Sequence, residues 1–143
     1  MHISALLAAK GKAVATIAAG ATVADAVAEL ERLGIGALVV SGDGAHMEGI
    51  VSERDVVRAL GHQGGELLDR PVSSIMTTEV VTASPDDEVD WLMATMTDHR
   101  VRHVPVVVHG ELQGLVSIGD VVKSRIGELE KDRKELVEYI TAR

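Results

Sequence analysis

An internal repeat constrains this chain more than any other feature, because a duplicated unit settles the architecture before any local propensity is consulted. Val14-Ala15-Thr16 aligns with Val80-Val81-Thr82, Val23 with Val89, Leu30 with Met96 and Val40 with Val106, all at a spacing of 66 residues. After a loop shortened by one residue, Gly49-Ile50-Val51-Ser52-Glu53-Arg54-Asp55-Val56-Val57 aligns with Gly114-Leu115-Val116-Ser117-Ile118-Gly119-Asp120-Val121-Val122 at a spacing of 65. The whole chain, 143 residues, is the length of one domain. A unit of about 50 residues buries too little surface to be comfortable alone, so the copies must fold against each other. They are expected to pack through their sheets about a pseudo-twofold axis, which leaves two similar clefts facing each other.

Each copy reads as a short strand, a helix, two strands and a second helix. In the first, Val23, Ala26, Val27, Leu30 and Leu33 recur at helical spacing, Thr22 is an N-cap with Asp25 three residues on, and Gly34 ends the helix. Apolar runs at 37–41 and 47–52 flank the hairpin signal Gly42-Asp43-Gly44, and a second helix over 53–60 closes at Gly61. The second copy has strands near 80–83, 103–108 and 112–117, a helix over 87–98, and a final helix from Gly119 to about Ile140, with Gly127 as a bend. Pro71-Val72-Ser73-Ser74-Ile75-Met76-Thr77 introduces copy two, and Ile3, Leu6 and Leu7 look like the matching introduction to copy one. The fold class is therefore α/β (α+β), divided as repeat 1 with an N-terminal helix (1–66), repeat 2 (67–126) and a C-terminal helical extension (127–143).

Composition narrows the function. A formal charge of −8 repels a phosphate backbone, and only two aromatic residues, Trp91 and Tyr139, leave no stacking platform for single strands, so nucleic acid is not an expected partner. Cysteine is absent, which fits a reducing compartment, and no apolar stretch approaches the roughly 20 residues of a membrane span. A cytoplasmic protein without a membrane segment is expected. His99 and His103 mimic a zinc pair at i, i+4, but a bend at Val101 and the lack of a third ligand argue against a metal site. Neither a phosphate loop nor a Rossmann fingerprint occurs.

The sharpest local feature is Gly-x-x-Ser-x-x-Asp, present as Gly49, Ser52, Asp55 and again as Gly114, Ser117, Asp120, each where a strand hands over to a helix. Unpaired N–H groups and the positive helix end favour an anion there, the serine can donate to a hydroxyl or phosphate, and the aspartate can accept from ribose hydroxyls. The same spacing is also a capping box, in which serine and acid merely satisfy their own helix end. Both readings stand at this level.

Together with Val-Arg-His-Val-Pro-Val-Val at 101–107 and the Ile-Met-Thr run at 75–77, these repeats resemble a stand-alone tandem CBS-domain protein, or Bateman module, over residues 2–126. The resemblance implies a non-catalytic sensor that binds adenosine compounds such as AMP, ADP, ATP, NAD(H) or S-adenosylmethionine in clefts between the repeats. It implies that Asp55 and Asp120 hold ribose hydroxyls and that Ser52 and Ser117 lie beside ribose and phosphate. Thr16 and Thr82 would edge the adenine, with Ala37 on one side and His103, Val104 and Pro105 on the other as walls. It further implies a homodimer through helix faces and a regulated partner protein that the sequence does not name.

The copies differ. Arg54, with Arg58 behind it, can reach phosphate from the first motif, whereas copy two brings Arg100, Arg102 and His103 to its helix-to-strand junction. Copy one has Val39 where copy two has Pro105, so the Asp120 cleft matches the family pattern better. Trp91 is placed at a dimer interface rather than in the core. An adaptor with empty clefts is the competing reading, while an enzyme lacks any nucleophile beside a base.

Overall fold

A computed structural model describes residues 1–142. In chain order its elements are α1 (Ile3–Lys10), β1 (Thr16–Ile17), α2 (Val23–Leu33), β2 (Ala37–Val40), β3 (Gly49–Ser52), α3 (Glu53–Gln63), two 3₁₀ turns (Gly64–Asp69 and Val72–Ser74), α4 (Val89–His99), β4 (His103–Val108), β5 (Glu111–Ser117) and α5 (Ile118–Thr141). The fold is mixed α/β with one small sheet per repeat. In the first sheet β1 runs parallel to β2 and β2 antiparallel to β3, and in the second β4 pairs antiparallel with β5. Among the described residues no helix is long and apolar enough to cross a membrane.

Two cores lie between sheet and helices, one per repeat. Leu38, Val40 and Val51 meet Val23, Leu30 and Val56 in the first, while Val104, Val106 and Val116 meet Val89, Leu92 and Val121 in the second. Strand side chains alternate between faces, so Ala37 and Val39 point away from the first core, yet they are only 1% and 0% exposed. That buried second face is where the other repeat lies. Main-chain pairing joins the halves too: Leu112 N–H donates to the Ala45 carbonyl at 2.7 Å.

The pseudo-twofold is visible bond by bond. Val72, Ser73 and Val23 donate to the carbonyls of Ala21, Ala19 and Arg70 (2.7, 3.1 and 2.9 Å), and Ile3, Ser4 and Val89 donate to those of Asp87, Pro85 and Met1 (each 2.9 Å). The N-terminal segment and the linker are thus counterparts, but their packing is crossed. Ile3, Leu6 and Leu7 fill the core of the second repeat, whereas Leu67 and Val72 of the linker fill that of the first. The reason is connectivity. Both repeats present the same docking edge, and the 3₁₀ turn at Gly64–Asp69, anchored by fully buried Leu67, returns the linker to the repeat it has just left. The edge on the second repeat is left for α1.

Two details depart from the sequence pattern. Helix α3 passes through Gly61 and stops at Gly64, whose φ of 69° is left-handed; a helical glycine costs about 1 kcal/mol relative to alanine but does not itself break a helix. Residues 80–83 form no strand beyond a single parallel bridge from Ala83 to Val106, the equivalent of Ile17 to Val40. In the first repeat Val39 N–H also holds the Ala15 carbonyl at 3.1 Å. Pro105 stands in that place in the second repeat and has no N–H to donate, so Val80 and Val81 come away from the sheet. Helix α5 runs unbroken past Gly127, with Val121 its only buried residue and Ile126, Leu129, Leu136 and Ile140 more than half exposed.

Candidate functional site

A cleft of about 680 Å³ opens between the repeats, within the roughly 300–1,000 Å³ of small-molecule sites. The first repeat contributes Ser52, Glu53, Arg54, Asp55 and Arg58 from the start of α3, and Ile50 from β3. Thr77 and Glu79 come from the linker, Val80 and Val81 from the segment that Pro105 frees, and residues 99–103 and 117–119 from the second repeat. The two sources of positive charge that the sequence assigned to different halves therefore line one cavity. Arg54 and Arg58 face it from α3, Arg100 and Arg102 from the end of α4, against the carboxylates of Glu53, Asp55 and Glu79.

Local geometry fixes these groups. Ser52 caps α3: its N–H donates to Asp55 Oδ2 at 2.9 Å and its hydroxyl accepts from Asp55 N–H at 3.4 Å, a complete capping box. Among the described residues, Asp55 Oδ1 accepts only from the Thr77 hydroxyl, at 3.3 Å. One carboxylate oxygen is thus committed to the helix end while the other faces the cleft with a single neutral donor. Arg54 Nη1 donates to the Arg100 carbonyl at 3.2 Å, tying the two arginine edges together. Arg100 ends α4 with φ 54°, where the first repeat places Gly34 at φ 63°. A side chain costs energy in that conformation, so the arginine is held there at some expense.

His103 lies deeper, its ring 3.1 Å from where a Cβ on Gly36 would stand. Burial pushes its pKa down, Lys10 and Arg102 add to that, and Glu53 and Asp120 oppose it. The balance favours the neutral imidazole.

The second motif has the same bones and a different occupant. Ser117 N–H donates to Asp120 Oδ2 at 2.8 Å and Asp120 N–H to the Ser117 hydroxyl at 3.1 Å, again a complete box. That same Oδ2 also takes the Lys10 ammonium, at 2.5 Å, and Lys10 makes a second short bond to the Leu115 carbonyl. Burial by itself would raise the Asp120 pKa, but Lys10 and the two Ser117 donors outweigh it and hold the group below the usual carboxylate range.

Of the residues read from sequence, Ser52, Arg54, Asp55, Arg102, His103 and Ser117 line the cavity, and six do not. Thr16 is paired to Val39 in β1, Ala37 and Val104 are at most 1% exposed, Pro105 is buried beside them, Thr82 faces outward, and Asp120 is bridged to Lys10. The cavity includes Asp55 and not Asp120, whereas the sequence pattern matched the family better at Asp120. Sequence reasoning passed over Thr77, Glu79 and Val81. Thr77 was visible in the Ile-Met-Thr run, and the missing N–H of Pro105 was a signal that Val81 would leave the sheet.

Comparison with known proteins identifies the fold. The sequence pattern of the CBS domain matches twice, at residues 11–62 and 72–127. A mitochondrial CBS domain-containing protein of Arabidopsis thaliana is 39% identical over 123 residues, covering 83% of this chain, which itself spans 60% of that relative's length. The crystal structure of a CBS-domain-containing protein from Agrobacterium tumefaciens superposes with a TM-score of 0.84 at 41% identity, covering 87% of this chain and 99% of that one. A CBS domain protein from Pyrobaculum aerophilum, solved in complex with AMP, superposes with a TM-score of 0.73 at 30% identity, covering 84% and 89%. With both repeats matched and the fold shared, the chain belongs to the CBS-domain family as a tandem pair.

Proposed function

We propose that the protein is a regulatory, non-catalytic adenine-nucleotide sensor that takes AMP, ADP, ATP or NAD(H) in the cleft at Asp55. The observation that carries this reading is the convergence of four arginines on a cavity that also offers a carboxylate oxygen with one neutral partner. Asp55 Oδ1 accepts the ribose hydroxyls, Ile50, Val80 and Val81 give the base an aliphatic slot, and the guanidiniums of Arg54, Arg58, Arg100 and Arg102 meet the phosphates. Charge-assisted bonds of this kind contribute about 1.5–3 kcal/mol each. The same four cations disfavour S-adenosylmethionine, whose sulfonium is positive, and select phosphorylated adenosines. The AMP held by the Pyrobaculum relative supports that choice.

Binding acts on the pose of one repeat against the other, because the cleft is walled by both. The energy available to a regulated partner is the difference in ligand affinity between the two poses. The Ser52 and Ser117 hydroxyls are engaged within their own caps, which supports a nucleotide that is held and not turned over. The cytoplasmic setting expected from the cysteine-free sequence belongs to the same proposal. So does a homodimer through helix faces, where Val57 and Trp91 are 67% and 44% exposed.

Thermal unfolding against a nucleotide panel tests the reading. AMP, ADP or ATP at 100 times its dissociation constant adds about 2.7 kcal/mol to stability, whereas adenosine at equal concentration does less. The alternative, an adaptor with empty clefts, is favoured by the complete capping boxes at Ser52–Asp55 and Ser117–Asp120. It predicts no shift with any adenosine compound.

A further inference from the structure

The two pseudo-equivalent motifs differ in the side chain that touches their aspartate. The matched hydrogen bonds that relate His2–Ser4 to Pro71–Ser73 place Lys10 opposite Glu79. On the linker side the chain leaves its 3₁₀ turn after Ser74, so that Thr77 N–H donates to the Ile50 carbonyl at 2.8 Å and its hydroxyl touches Asp55. On the N-terminal side α1 stays helical to Lys10, and the ammonium takes both equivalent acceptors, the Leu115 carbonyl and the Asp120 carboxylate. A neutral hydroxyl is thus replaced by a cation.

We infer that Lys10 is a tethered substitute for ligand in the Asp120 cleft, so that each chain takes one nucleotide, at Asp55, and not two. The inference rests on the sensor reading above for the chemistry of the ligand. Ribose hydroxyls are neutral donors, and at Asp120 they would compete for a carboxylate, 24% exposed, whose charge is already engaged by an ammonium 2.5 Å from Oδ2. A charge-assisted bond is roughly twice as strong as a neutral one, and the lysine is delivered at no translational cost because Ile3, Leu6 and Leu7 seat α1 in the second core. Asp55 faces no cation in this way, since Glu79 occupies the corresponding position on its cleft wall. The sign of the charge at this one pseudo-symmetric position decides which cleft is open.

Isothermal titration with AMP and with ATP measures the stoichiometry directly. The unaltered protein binds one nucleotide per chain, Lys10→Met binds two, and Lys10→Met combined with Asp120→Ala returns to one. Lys10→Gln, which keeps the stem and a neutral donor, serves as a second variant and also gains a site. Two nucleotides on the unaltered chain, or one on both Lys10 variants, overturns the assignment of Lys10 while leaving the Asp55 site intact. No nucleotide on the unaltered chain but one on Lys10→Met keeps the role of Lys10 and discards the Asp55 reading. No binding by any of these proteins discards both.

Discussion

The two repeats set the same seven-residue motif in two environments. At Asp55 the second carboxylate oxygen faces a cavity edged by arginines, and at Asp120 the cap oxygen is shared with a lysine. The Ser and Asp of the two motifs do not distinguish them, because both form complete capping boxes with similar distances. The difference comes from what the preceding segment delivers to the motif, a threonine from the linker or a lysine from α1. In both repeats the cap uses Oδ2, and the motifs differ in the donor added to the carboxylate, the Thr77 hydroxyl on Asp55 Oδ1 or the Lys10 ammonium on Asp120 Oδ2.

The largest effect expected from this comparison is on affinity. Asp55→Ala removes the acceptor for two ribose hydroxyls and is expected to weaken AMP binding about a hundredfold, since each hydrogen bond to a charged group is worth about 1.5–3 kcal/mol. Asp120→Ala is expected to leave AMP affinity within about twofold. Titration calorimetry on the two variants checks both, and equal losses would mean that the clefts are equivalent after all.

Next in size is a stability difference between the two motif glycines. A Cβ on Gly49 would stand 2.7 Å from the Thr77 carbonyl, whereas one on Gly114 would stand 2.6 Å from Leu7 Cδ2. The Thr77 carbonyl oxygen accepts from Ile50 N–H at 3.0 Å and cannot move aside without losing that bond, but a leucine methyl can change rotamer. Overpacking costs about 1–3 kcal/mol, and Gly49→Ala is expected near the top of that range with Gly114→Ala near the bottom. Urea unfolding of both variants gives the order directly.

The symmetric part of the molecule was legible in the sequence because it is made of local signals. Thr22 with Asp25, the Ser-x-x-Asp boxes and Gly34 are each read within one helical turn, and they fall where expected. What could not be read is what breaks the symmetry. The crossing of α1 onto the second repeat depends on the 3₁₀ turn at Gly64–Asp69, and Leu67 carries no mark that it will be fully buried. Without that crossing Lys10 cannot be placed near Asp120, so the ion pair between them is not legible in the sequence pattern. Pairing Arg54 with Arg102 across one cavity is equally non-local. Pro105 is the exception, since the absence of its N–H is a local fact with a long-range result, the release of Val81 into the cleft wall.

A smaller effect separates phosphate from base recognition. Arg102→Ala is expected to weaken ATP binding about tenfold, equivalent to about 1.4 kcal/mol, and adenosine binding hardly at all. Arg100→Gly is expected to weaken ATP similarly while raising stability, because glycine adopts the left-handed conformation at this helix end without steric cost. Competition titrations with adenosine and ATP, set beside thermal unfolding of the apo variants, separate the two consequences. A parallel loss for adenosine would place these arginines on the base or ribose instead.

The smallest effect is in pH dependence and concerns His103, which stands between the two clefts and feels Lys10 and Asp120 from one and Glu53 from the other. Its pKa in the folded state is below the value near 6.5 of the unfolded chain, so below that pH the unfolded state binds the proton more readily. Stability contributed by neutral His103 is present above pH 6.5 and is lost as pH falls through its folded-state value. His46 tilts the other way, because its hydrogen bond to Asp43 raises its pKa, and the stability it contributes is lost as pH rises. The two partly cancel in the wild type, so the informative quantity is the difference between wild type and His103→Gln in urea unfolding from pH 7.5 to 5. That difference is expected to narrow as pH falls, and to narrow less with saturating ATP, whose phosphates favour the protonated ring. If the gap between the two proteins stays constant with pH, His103 is already solvated in the apo cleft and does not couple its two walls.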